Sequence, residues 1–149
     1  MTIVTTYYKA TRADGHDFRT GTIDYGAALV SGEVIRHPEA RKVRDDAATY
    51  LSVSVSPSDC TGFSWPCCLL RVEPEGEVMD DLLVSPNKRA VSALRVVEEL
   101  PAWQVFGPHG QAVVAIIDRT MHLTRDEYAR LDAAGDAAGD AAGDAAGDA

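Results

Sequence analysis

The chain has 149 residues, of which 46% are apolar and 25% charged, with 23 acidic against 14 basic side chains and a net charge of −9. That is the size of one ordinary domain, able to bury about two-thirds of the surface its unfolded form exposes and to fold without a metal or disulfide staple. No apolar run approaches the ~20 residues that cross a bilayer, and the acid excess argues against a nucleic-acid backbone as partner, which takes clustered Lys and Arg.

Met1 to Lys9 has no basic region ahead of an apolar run, so a secretory signal is not expected and a cytoplasmic setting is. Thr2 to Ala10, rich in β-branched and aromatic residues, predicts a first strand, and Ala13-Asp14-Gly15 a turn. Residues 16–24 predict a loop or short edge segment, and Tyr25 to Val30 is ambiguous, a helical turn being one reading. Glu33 to Arg36 predicts a short strand, and Pro38 opens a candidate helix through Arg44. From Tyr50 to Ser56 the pattern alternates strictly: Leu51, Val53 and Val55 point one way, Tyr50, Ser52, Ser54 and Ser56 the other, as in a half-buried strand.

Pro57 to Gly62 breaks that strand. Trp65 to Val72 is near-continuously apolar and predicts a central strand buried on both faces. Glu73-Pro74-Glu75-Gly76 is a turn, Glu77 to Val84 a returning strand, and Ser85 to Lys88 another turn. Arg89 to Leu100 reads as one long strand. Beyond the Gly107-Pro108-His109-Gly110 turn, Ala112 to Ile117 is the most apolar strand candidate in the chain. Thr124 and Glu127 form a capping box that starts a helix at about Arg125.

The sum is an α+β domain over residues 1–131: a mainly antiparallel sheet of about six or seven strands, split or partly closed, with one or two short helices. From Asp132 the chain reads Asp-Ala-Ala-Gly four times and ends Asp148-Ala149, so this segment carries five aspartates and leaves a net −4 for the rest. It has no large apolar side chain to bury, and each Gly inside a helix costs ~1 kcal/mol relative to Ala. Residues 132–149 are therefore expected to be a disordered acidic tail.

The cysteines, Cys60, Cys67 and Cys68, are odd in number and two are adjacent, which disfavours a disulfide framework. Their spacing matches no zinc knuckle, so no metal is expected and they read as small apolar core residues. Phosphate-loop, zinc-protease, nucleophile-elbow and EF-hand motifs are missing from the sequence.

Lys42 to Gly107 resembles small uncharacterised proteins of actinobacteria and their phages. The residues that carry the likeness are Lys42-Val43-Arg44, Tyr50 to Ser54, Cys60-Thr61-Gly62, Trp65-Pro66-Cys67, Asn87-Lys88-Arg89 and Arg95 to Pro101. The resemblance implies an origin and no chemistry. A second likeness is to arginine-type ADP-ribosyltransferases, in the order Arg12, Ser52-x-Ser54, Glu75-x-Glu77. It implies that Arg12 anchors the phosphates of NAD, Ser52 orients the ribose, and Glu75 or Glu77 stabilises an oxocarbenium-like transition state. The interval between the serines and the glutamates is shorter than in that family. The plainer reading makes Ser52, Ser54 and Ser56 a solvated strand face, and the glutamates a solubilised turn.

The binding candidates are Trp65 and Trp103, aromatic residues suited to a recognition surface, and the basic cluster of Arg41, Lys42 and Arg44. The expected function is that of a non-catalytic, protein-binding accessory protein of a phage or actinobacterium, a virion component or a host-directed cytoplasmic factor, with no cofactor. The alternative is an NAD-binding, ADP-ribosyltransferase-like enzyme.

Overall fold

The computed structural model describes residues 5–38, 49–79 and 85–147. Residues 39–44 of the candidate helix, with the basic residues Arg41, Lys42 and Arg44 among them, the first three residues of the expected first strand, and the end of the returning strand lie outside the described residues. The chain divides after Gln111 into two compact units.

The first unit is α+β. Its strands are β1 (Tyr7–Arg12), β2 (Val34–Arg36), β3 (Leu51–Ser54), β4 (Cys67–Pro74), β5 (Val78–Met79), β6 (Lys88–Val91) and β7 (Ala93–Leu100). They form a seven-stranded sheet in the order β2-β7-β4-β1-β3-β6-β5, every pairing antiparallel. The expected long strand from Arg89 to Leu100 is two strands with only Ser92 between them. β6 pairs with β3 while β7 pairs with β4, so the pairings run from β1 through β3 and β6, across Ser92 into β7, and back through β4 to β1. One bent strand thereby curls the sheet onto itself.

Ser92 also holds the bend. Its hydroxyl accepts from the Glu77 N–H at 3.1 Å, its N–H donates to the Glu77 carbonyl, and its carbonyl accepts from the His37 N–H. Gly76 lies so close that a Cβ there would overlap the Ser92 hydroxyl. A residue without a side chain is what this approach requires.

β4 is buried on both faces, as its unbroken apolar run predicts. Leu70 and Val72 pack with Tyr7, Leu51, Val53, Val91, Leu94 and Val96. Leu69 faces the other way, into a cluster with Cys60, Cys67 and Val105. The ambiguous segment is helix α1 (Tyr25–Ser31), capped by the Asp24 carboxylate on the Ala27 N–H and ended by Gly32 in the left-handed region. It inserts Tyr25 and Ala28 into the first cluster. Among the described residues the unit also has two 3₁₀ turns, Pro57–Asp59 and Ala102–Phe106.

The run from Ala112 to Ile117, expected as a strand, lies in helix α2 (Gly110–Met121). Its apolar residues fit a helical period as well: Val113, Val114, Ile116, Ile117 and Met121 share one side, and Gln111, Asp118 and Arg119 the other. Short apolar runs do not distinguish strand from helix. The first residue of the helix is glycine at a point where a Cβ would overlap the Trp103 carbonyl.

In the second unit α2 is followed by α3 (Arg125–Gly147), started by the expected capping box. The Thr124 N–H donates to the Glu127 carboxylate at 2.9 Å, and the Glu127 N–H donates to the Thr124 hydroxyl at 3.3 Å. The Asp-Ala-Ala-Gly repeat, expected as a disordered tail, continues this helix to Gly147. Two alanines in every four residues are the best helix formers available, and they extend a helix once its first turn is nucleated.

Candidate functional site

Arg12, Ser52, Glu75 and Glu77 do not come together. Arg12 ends β1 opposite Cys67, the first residue of β4, and its guanidinium reaches the Phe18 carbonyl. Glu75 follows Pro74 at the far end of the same strand, roughly 25 Å away at ~3.3 Å per residue. There its carboxylate accepts from Arg95 Nε at 2.8 Å, and the Glu77 backbone is bound to Ser92. No single site unites the arginine with either glutamate.

The tryptophans are half-buried. Trp65, joined to Pro66 by a cis peptide, packs 5.2 Å from the Phe106 ring, which also meets Phe63 edge-on at 5.6 Å. Trp103 borders an open apolar hollow with Pro57, Gln104 and Pro108.

Ser52 and Ser54, expected on a solvated face, instead line a cavity of about 200 Å³. β1 and β3 pair only at Tyr8 and Ser54. Where the strands part, the Lys9 side chain fills the gap: its ammonium donates to the Ser52 carbonyl at 2.8 Å and lies 5.3 Å from the centre of the Tyr25 ring. On the other side of β3, Lys88 stands opposite Ser54 in register and donates to its hydroxyl at 2.8 Å. Ser54 is 2% exposed. Phe18 and Arg19 complete one wall, Thr61 and Gly62 another.

Asp17, the carboxylate of this wall, is already engaged. Burial disfavours its charge, but the N–H groups of Thr20 and Ile23 and the Thr20 hydroxyl, at 2.7 to 3.0 Å, outweigh burial and hold its pKa at about 2. Burial pushes Lys9 down to about 8, the nearby Lys88 adds to this, and Asp17 and Cys60 oppose it. Lys88 is lowered by burial too. Behind Ser54 the Cys60 thiol is raised by burial and stays neutral. Among the described residues, neither ammonium has a carboxylate within salt-bridge reach. At neutral pH this is a cationic cavity floored by hydroxyls.

No motif marks Lys9 or Lys88. The signal that was present is usage: the chain has eleven arginines and three lysines, and two of the three line this cavity. Among the described residues, no three His, Cys, Asp or Glu side chains are grouped to hold a metal ion.

The second unit presents a different surface. α3 has no buried side chain. Ile116 is 64% and Met121 73% exposed on α2, and Tyr128 and Leu131 stand open on α3. Residues 112–149 carry eight acidic and three basic side chains. No protein-family model, curated protein or solved structure matches the chain.

Proposed function

We propose that the chain is a non-catalytic accessory protein that binds another protein through the helices of its second unit. The observation that carries this reading is the set of exposed apolar side chains, Ile116 and Met121 on α2 and Tyr128 and Leu131 on α3, with Val113, Val114 and Ile117 of α2 half-buried and no buried side chain on α3. Helices in water owe most of their stability to packing an apolar face, and here a partner supplies that packing. The occupant is a protein groove with an apolar floor and a basic rim, since the same segment carries a net −5. The likeness of Lys42 to Gly107 to proteins of actinobacteria and their phages supports a setting in a virion or an infected host.

The test compares proteins retained from actinobacterial and phage-infected extracts by the full chain and by its Ile116→Asp/Met121→Asp variant. A retained protein is then purified and its affinity measured. The paired aspartates are expected to weaken binding at least about a hundredfold, the loss typical of two central apolar anchors. Equal affinity for both forms would overturn the reading, as would self-association of the chain through this face in place of a partner.

A further inference from the structure

We propose that the cavity between β1, β3 and β6 is a binding site for a small molecule bearing an anionic oxygen group, a phosphate or a carboxylate, held between Lys9 and Lys88. This is independent of the helical surface.

Among the described residues, neither Lys9 nor Lys88 forms a salt bridge. Two ammoniums, from the strands on either side of β3, reach one β3 segment, each spending one N–H on it: Lys9 on the Ser52 carbonyl, Lys88 on the Ser54 hydroxyl. An ammonium has three donors, so both retain donors for a ligand. The charged or titratable groups near Lys9 are Lys88, Asp17 and Cys60, with the Tyr25 ring beneath; those near Lys88 are Cys60 and Asp59. Asp17 is saturated by Thr20 and Ile23, and Asp59 by Ser56 and Asn87. The thiol is neutral. Both carboxylates keep their charge, but three cations, Lys9, Lys88 and Arg19, face these two anions, so positive charge in the cavity exceeds its compensation.

An anion between the lysines removes their mutual repulsion and adds charge-assisted hydrogen bonds. Arg19 at the wall is a third cationic contact, and the Ser54 and Thr61 side chains add hydroxyls. A cavity of about 200 Å³ has room beyond the anionic group itself, so the ligand is a small organic anion and not a bare ion. Lining side chains that are charged or carry a hydroxyl outnumber the apolar Ala10 and Phe18, which favours a polar ligand over a fatty chain.

The experiment titrates the ¹⁵N-labelled full chain with inorganic phosphate and, separately, with acetate, at pH 7. Saturable shifts of the Ser52, Ser54, Thr61 and Gly62 amides with one of the two probes are expected, and which probe succeeds assigns the anion as phosphate or carboxylate. Lys88→Met, which removes one charged donor, is expected to weaken that binding about tenfold. Lys9 also satisfies the Ser52 carbonyl, so Lys9→Met is read only with an unchanged amide spectrum elsewhere, and Arg19→Ala serves as the second variant, with a several-fold loss. Affinity should fall as pH rises through 8. No saturable shift with either probe would overturn the proposal, as would undiminished binding in Lys88→Met or shifts scattered over arginines outside the cavity.

Discussion

Lys9 does with its side chain what a strand ordinarily does with its backbone. Where β1 and β3 separate, its ammonium takes the Ser52 carbonyl, so a buried acceptor is satisfied at the cost of partly dehydrating a charge. That cost is visible in pH dependence. Lys9 titrates at about 8 in the folded chain against an ordinary 10.5. Between those values the unfolded chain binds a proton that the folded chain does not, so unfolding free energy rises with pH. The opposite sign begins near pH 9, where the ordinary cysteine value lies. Cys60 and Cys67, the latter pushed up to about 11 by burial, stay protonated in the folded chain while their unfolded counterparts ionise. Tyr25, also raised by burial, adds to this from pH 10. The urea midpoint is therefore expected to climb as pH rises through 8 and to turn over above about 9. Lys9→Met should flatten most of the climb, and Lys88→Met a smaller part. A flat wild-type midpoint over pH 7–9 would mean that the ammonium is fully hydrated.

At the scale of elements, the repeat decides how far α3 can be trusted to its own sequence. Its glycines recur every fourth residue, and the aspartates at 132, 136, 140 and 144 sit in i, i+4 relation, each such like-charge pair costing about 0.2–0.5 kcal/mol. Nothing lies within 4 Å of where a Cβ would stand at Gly135, Gly139 and Gly143. Replacing all three by Ala meets no obstacle and is worth about 1 kcal/mol of helix propensity at each position. The expected result is a larger helical circular-dichroism signal at 25 °C and a helix that melts at higher temperature. Added salt should act in the same direction on the wild type by screening the aspartates. An unchanged signal in the triple variant would show that the repeat is not helical in solution.

Elements also show what the sequence discloses. The alternation of Leu51 and Val53, the unbroken run through Leu69, Leu70 and Val72, and the Thr124–Glu127 capping box are local patterns, and local patterns are what a sequence displays. The bend at Ser92 is not local: it exists because β6 and β7 pair with strands on opposite sides of β1, a choice made by tertiary contacts. For the same reason Ser54 reads as a solvated strand residue and is buried, since Lys88 and Cys60 reach it only after the sheet has curled. The run from Ala112 to Ile117, expected as a strand, is part of helix α2, because so short an apolar run is compatible with both periods. Lys9 and Lys88 are 79 positions apart, and only closure of the sheet through β3 makes them neighbours.

For the whole molecule, the division after Gln111 separates where stability resides from where apolar surface is offered. The hydrophobic clusters draw on residues between Tyr7 and Phe106, and none includes a residue of α3. Full burial of an aliphatic side chain contributes about 1.5–3 kcal/mol, and the first unit has many such residues, Leu69, Leu94 and Val72 among them at 0% exposure. α3 has none. Cooperative unfolding is therefore a property of the sheet, while the arm follows its own gradual helix–coil equilibrium. A chain ending at Leu123 is expected to keep the near-ultraviolet melting temperature of the full chain within about 2 °C, since a change below ~0.5 kcal/mol shifts a domain of this size by no more than that. The far-ultraviolet signal should lose a component that, in the full chain, declines without a sharp midpoint. Protein partners gained through α2 and α3 should weaken while anion binding in the lysine cavity persists. A drop of 5 °C or more on truncation would show that α3 packs against the sheet, and the helical surface would then be part of the protein's own core.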